Sequence, residues 1–280
     1  MMCGYRLSMQ AVLILYAILI FGCANEPINI LTDLELNNGL YYKKDENKPH
    51  TGKVFSNFKN QMQKTSGYLL DGKRDGLWIE HYENGRIKFK ASFKNGRAHG
   101  IRQEWYDNGV KKQQGDFKND EYDGRWLKWH PSGSLSAEGE YKEGKEEGTH
   151  TFWYSNGNKK SEAIFSNGQI TGGRTDWYLN GQKKEHGTLD GVWTQWYENG
   201  SKKAYGKYKN QLPIGKHLLW YPNGKLKSST NFINGKPHGP RMEWYDNGGK
   251  KEVGQFSNGK ESGTWTYYNK DGTVDGTEEY

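Results

Sequence analysis

Cysteine is almost absent from this chain: of 280 residues only Cys3 and Cys23 carry a thiol, and both lie in the first 23. From residue 24 onward there can be no disulfide staple, no thiolate metal site and no cysteine nucleophile. Proline is scarce at 7 residues, so little interrupts extended backbone. Long apolar runs are missing beyond the first thirty residues. With 33% hydrophobic residues and a mean hydropathy of -1.05, one deep globular core is not expected. Catalytic signatures are missing too. The eight histidines form no His-x-x-x-His pair, and there is no Gly-x-Ser-x-Gly elbow, phosphate loop or Gly-x-Gly-x-x-Gly segment. These gaps argue against an enzyme, a resident metal or a cofactor. The net charge of +7 is spread along the chain, which argues against nucleic acid.

Aromatics and glycine are abundant, with 11 Trp, 19 Tyr, 10 Phe and 37 Gly. A disordered chain is poor in aromatics. Glycine at this density suits a protein of many tight turns. The glycines fall into columns. One closes a turn at Gly85, Gly109, Gly133, Gly157, Gly181, Gly200, Gly224, Gly248 and Gly272, and a second opens the next strand from Gly52 to Gly263. Every interval in the first column is 24 residues except the 19 between Gly181 and Gly200. A third column runs Gly72, Gly96, Gly144, Gly168, Gly235 and Gly259, with Asp120 and Asn210 expected to stand in at two copies. Each unit holds two strand-like runs joined by Asn-Gly, read as type I′ turns because both central residues of that turn need φ > 0.

The expected fold is therefore all-β: an elongated, single-layer antiparallel sheet of tandem hairpins. About ten 24-residue repeats occupy residues 40–280, with one shortened at 181–200. The contraction is expected to be a kink, a hinge or a binding notch, or else a neutral deletion.

The N-terminus reads as an export signal. Arg6 precedes the apolar run Ala11 to Phe21, which is too short to span a bilayer. The segment Ile20-Phe21-Gly22-Cys23 resembles the bacterial lipobox. That resemblance implies a signal peptide over residues 1–22, lipidation of Cys23, and a tether over residues 23–39. It places the protein in a bacterial cell envelope as a membrane-anchored chain, with the outer membrane favoured in a Gram-negative host because Ala24 follows the cysteine.

The tryptophan and lysine columns are the candidate binding surface. Trp105, Trp129, Trp153, Trp177, Trp196, Trp220 and Trp244 stand before the first turn, each beside the column of Tyr82 and its equivalents. Lysines follow three residues after the turn glycine: Lys88, Lys112, Lys160, Lys184, Lys203, Lys227 and Lys251. A third column, from Phe93 to Phe256, ends the second strand. The aromatics are read first as what buries apolar area between hairpins, and second as a surface for a protein partner, an anionic lipid or a glycan. A lysine row also keeps a sheet soluble.

The segments Trp196-Tyr197-Glu198-Asn199-Gly200 and Asn234-Gly235-Lys236-Pro237-His238-Gly239 resemble bacterial MORN-variant repeats. That resemblance implies a meander of hairpins used for membrane association, lipid contact or protein assembly, with no catalytic residues. Some relatives of that type carry an antitoxin label, which export would ill suit. Asp176-Trp177-Tyr178-Leu179-Asn180-Gly181 is also similar to choline- or glucan-binding hairpin repeats, whose unit is nearer twenty residues. In that case Trp and Tyr would cage a quaternary ammonium or a sugar.

Overall fold

The computed structural model describes residues 26–280, so the signal peptide, Cys3 and Cys23 lie outside the described residues. The described residues form two units, one of residues up to 111 with 116–121 and one of residues 112–115 with 122–280. Both are antiparallel meanders. The all-β fold of tandem hairpins is as expected.

A repeat consists of a leading strand of nine residues, such as Lys145–Trp153, and a return strand of eight, such as Lys159–Ser166. Register is antiparallel throughout, with Gly148 opposite Phe165 and Phe152 opposite Ser161, and a bulge just before Trp153. The two turns of a repeat differ in type. At the tip after the return strand, Asn95 (φ 53°) and Gly96 (φ 83°) both take positive φ, the type I′ turn expected. At the other turn only Gly85 does, and its N–H bonds the Tyr82 carbonyl at 2.9 Å while Tyr82 N–H bonds the Arg86 carbonyl. That is a type I turn closed by a glycine bulge, not the type I′ turn read from its Asn-Gly. Asn84 stays at negative φ because its side-chain oxygen accepts from Arg86 N–H at 3.0 Å. The third glycine column also needs one correction: Gln211 (φ 62°), not Asn210 (φ 51°), stands where Gly96 stands, and Asn210 matches Asn95.

The tether expected over 23–39 is not what its described part forms. Ile28–Asn29 pairs in parallel with Gly52–Asn57, Ile30–Asp33 makes one helical turn capped by the Asn29 side chain, and Leu34–Asn37 forms a hairpin with Leu40–Lys43. Leu34 is buried with Val54, Leu69 and Trp78, and Ile28, Ile30 and Tyr41 pack against them. Burial of these apolar residues stabilises the fold by about 25 cal/mol per Å². It also covers the edge of the Gly52–Asn57 strand, which would otherwise present unpaired backbone. In the second unit the edge strand Val274–Glu279 is guarded differently: it carries Asp275, Glu278 and Glu279, and Tyr280 turns its ring edge-on to Trp265 at 6.2 Å.

Candidate binding surface

One face of each unit holds a column that the turn glycines do not reveal. Two residues after the strand-opening glycine stand Trp78, Arg102, Trp126, His150, Arg174, Trp193, His217, Arg241 and Trp265. Trp78, His150 and Trp265 are among the most buried side chains of the described chain. Rings of this column meet the Phe/Tyr column edge-on: His150 lies 5.2 Å from Tyr141 and 5.0 Å from Phe165, and His217 lies 5.2 Å from Tyr208 and 4.8 Å from Phe232. Backbone carbonyls satisfy three of these rings: Trp78 Nε1 donates to Tyr68 at 3.1 Å, and His150 Nε2 and His217 Nε2 bond Glu140 and Lys207 at 2.8 and 3.0 Å, whereas the buried Trp265 Nε1 has no partner among the described residues.

What lets these rings lie flat on the sheet is a glycine in the preceding return strand. A Cβ at Gly67 would meet Trp78 at 2.2 Å, at Gly139 His150 at 2.3 Å, at Gly187 Trp193 at 2.2 Å, at Gly206 His217 at 2.3 Å and at Gly254 Trp265 at 2.1 Å. At Gly115 a Cβ would meet Tyr122 at 2.8 Å, with the column ring Trp126 farther off at 3.4 Å. Where the column holds arginine instead, the same position carries a side chain: Ala91 opposite Arg102, Ala163 opposite Arg174, Thr230 opposite Arg241. Glycine goes with a ring and a Cβ goes with an arginine in all nine registers. The arginines bond carboxylates on the same face. Arg174 reaches Asp176 at 2.9 Å, and Arg241 bridges Glu243, Glu252 and Thr230. Arg102 also stacks on Phe89 and Phe117.

The tyrosine column is spent on the scaffold. Tyr82, Tyr154, Tyr178, Tyr197 and Tyr221 donate their hydroxyls to the carbonyls of Trp105, Trp177, Trp196, Trp220 and Trp244, one repeat on, at 2.8–3.0 Å. His130 makes the same link to Trp153. Burial raises the Tyr82 and Tyr221 hydroxyls above the usual phenol range. The turn asparagines add a second ladder, as when Asn199 Nδ2 donates to the Pro222 carbonyl at 3.0 Å. These tyrosines follow the last residue of the leading strand and precede the turn, outside the strand itself.

The expected tryptophans Trp105, Trp129, Trp153, Trp177, Trp196, Trp220 and Trp244 are all half-buried. Lysines overlie rings of this column: Lys159 lies 5.6 Å from the Trp177 ring centre and Lys202 lies 5.9 Å from that of Trp220.

The lysine column divides into two kinds. Lys88 pairs with Glu80 at 3.0 Å and Lys251 with Glu243 at 3.2 Å, which holds the Lys251 ammonium above its usual range through that hydrogen bond. In four registers, Lys160, Lys184, Lys203 and Lys227 are exposed and sit over Tyr154, Tyr178, Tyr197 and Tyr221 at 5.7–6.0 Å. Among the described residues no carboxylate lies within ion-pair distance of these four. Where Glu80 and Glu243 stand elsewhere, these registers have Phe152, Asp176, Gln195 and Leu219; Asp176 is already engaged by Arg174. Lys160 and Lys184 line one cleft of 370 Å³ with Phe152, Tyr154, Arg174, Asp176 and Trp177. Lys112, the remaining expected lysine, is half-buried.

Among the described residues no cluster of three or more His, Cys, Asp or Glu could hold a metal ion, and no helix is long and apolar enough to cross a membrane.

Six segments match the MORN repeat variant, at residues 74–95, 98–119, 122–143, 146–167, 189–210 and 213–234. The chain carries six MORN-variant repeats. The MORN repeat is a non-catalytic repeat module, and here its recurring Tyr, Asn and Gly positions are the ones that join repeat to repeat. The matched MORN segments stop at 167 and resume at 189, on either side of the contraction. No curated protein matches the chain.

Proposed function

We propose that the protein is a non-enzymatic scaffold of the bacterial envelope, anchored through lipidated Cys23 and presenting its repeats to a protein partner. The observation that carries this reading is the even division of labour along the MORN repeats. Tyr, Asn and glycine-ring contacts hold neighbours together in register after register, while half-buried tryptophans and exposed lysines recur beside them. Such an arrangement offers a long surface of repeated contacts, which suits assembly better than chemistry. The lipobox supports the anchor, because two or three acyl chains at about 0.8 kcal/mol per buried CH₂ hold a protein durably at a membrane.

The test is fractionation and labelled palmitate incorporation for the wild type and Cys23→Ala, with crosslinking and capture from envelopes. Label and membrane association lost in the variant are expected. An unlabelled, soluble wild type would end the anchored reading, and capture no better than from a variant lacking the column tryptophans would end the scaffold.

The four unpaired lysines favour a second reading, contact with anionic lipid headgroups. Each lysine near a negative surface contributes about 1 kcal/mol. Replacing Lys160, Lys184, Lys203 and Lys227 by Gln should then weaken sedimentation with phosphatidylserine vesicles by at least about tenfold, and more weakly at high salt. Unchanged sedimentation removes this reading.

A further inference from the structure

The shortened repeat leaves a gap in the second unit whose shape the other repeats define. Its return strand is Lys183–Gly187 and its leading strand Gly191–Trp196, five and six residues instead of eight and nine. Pairing with the preceding leading strand begins only at Arg174, opposite Gly187, so residues 169–173 have a strand partner on one side alone. In the regular repeats the tip glycine donates back across the sheet, as Gly168 does to the Glu146 carbonyl and Gly235 to that of Pro213. Among the described residues no such bond reaches Ile170, and Gln211 donates none. The missing piece is a hairpin tip two strands wide.

The piece also lacks a ring. In its place stands Leu189, 64% exposed. Trp193 lies on Gly187, yet it is the one ring of its column with no edge-on aromatic neighbour among the described residues; Trp78, Trp126, His150, His217 and Trp265 all have one, at 4.8–6.4 Å. Thr188, Leu189, Trp193, Tyr208 and Gln211 line an open, mostly apolar notch of 290 Å³. Its rim is strained as well. Gln211 occupies a positive-φ position that glycine fills at six other tips, a conformation that costs an L-residue about 1–2 kcal/mol.

We infer that this notch is a docking site for a partner peptide that enters as a short hairpin or extended segment and places a Phe or Tyr ring against Trp193. The peptide completes the interrupted sheet through the Ile170 carbonyl and the Gln211 amide, and its ring takes the position that Phe165 and Phe232 hold in complete repeats. The occupant is specified by the chain itself, because the space is that of an absent tip with an absent ring. This rests on the reading of the chain as a binding module and names one place where a partner engages it. It is independent of the anchor.

The experiment uses the full chain and a labelled ten-residue peptide copying residues 254–263, whose Phe256 is the ring of a complete tip. Its companions are the same peptide with Ala at the Phe256 position and a filled variant of the chain. In the filled variant, residues 188–190 are replaced by the eight residues 255–262, which restores the 24-residue unit. Saturable anisotropy is expected with the wild type, at least about tenfold weaker with the Ala peptide and absent with the filled variant. Amide exchange at residues 170–173 is expected to slow on binding. No binding to the wild type, or equal binding to the filled variant, overturns the inference. So does concentration-dependent self-association that the filled variant abolishes, since the occupant would then be a second copy. Envelope capture that persists while the wild type binds no peptide would remove the notch and leave the scaffold standing.

Discussion

Adding one methyl group at Gly139 should damage the sheet more than its size suggests. The new carbon would sit 2.3 Å from His150 Nδ1 and 2.4 Å from Cε1, where carbon contacts settle near 3.5–4.0 Å. His150 is 1% exposed and wedged edge-on between Tyr141 and Phe165, so the ring cannot swing away without leaving both and its bond to the Glu140 carbonyl. Overpacking of this kind costs about 1–3 kcal/mol, and each lost edge-to-face contact about 0.5–1.5 kcal/mol. Against that, alanine restricts the unfolded chain, a gain of about 0.4–1 kcal/mol. Gly139→Ala is therefore expected to destabilise by about 2 kcal/mol in urea unfolding. Amide exchange should follow the transition, because repeat arrays need not unfold in one step. The decisive arm is Gly139→Ala combined with His150→Arg, which recreates the Ala163–Arg174 and Ala91–Arg102 pairs. The double variant should recover at least half of the loss. A cost below about 0.5 kcal/mol for Gly139→Ala, or a double variant that equals the sum of the singles, would falsify the pairing of glycine with ring.

Removing the Tyr197 hydroxyl with Phe should cost about 0.5–1.5 kcal/mol through its 2.8 Å bond to the Trp220 carbonyl, read as a lower urea midpoint. Gln211→Gly should stabilise the protein by about 1 kcal/mol by relieving its positive φ, read as a higher urea midpoint, whether or not the notch binds anything. His50 is held below the usual imidazole range, chiefly by burial, and its Nε2 has no partner. The unfolded chain then binds the proton first, so stability is full above about pH 6.5 and declines as pH falls from there toward the lowered folded value. Thermal unfolding of the first unit at pH 7.5 and pH 5.5 should show this decline, and His50→Gln should flatten it.

Strands and turns were legible because Asn-Gly and the columns of strand-opening glycines mark every hairpin. The glycines that matter most for packing carry no turn signal. Gly67, Gly139, Gly206 and Gly254 sit within strands at ordinary φ, and what they contribute is the absence of a Cβ beneath a ring. The signal was in the sequence all along, as the matching alternation of Gly with Trp or His and of Ala or Thr with Arg. The type of the turn at Gly85 was not legible from Asn-Gly, because the Asn84 side chain closes that turn itself and its backbone never leaves negative φ. Residues 28–43 were harder still: no period marks them, and their burial depends on a parallel pairing to Val54 and Phe55 far along the chain. The tryptophans before the turn are the more numerous, yet among the described residues the buried tryptophans are Trp78 and Trp265 from the other column.

The contraction also separates the two margins of the sheet in the second unit. Along the margin of type I turns the ladder is undisturbed by the five-residue loss: Tyr178 still reaches the Trp196 carbonyl at 3.0 Å and Asn180 the Glu198 carbonyl at 3.1 Å, across 18 residues instead of 23. The deletion is absorbed wholly at the opposite margin of hairpin tips. One margin thus behaves as a spine with a fixed stitch, and the other as a fringe whose teeth can be shortened, lengthened or exchanged singly. Foreign sequences grafted onto individual tips would inherit a common spacing of two strands, about 10 Å, without asking anything of the spine.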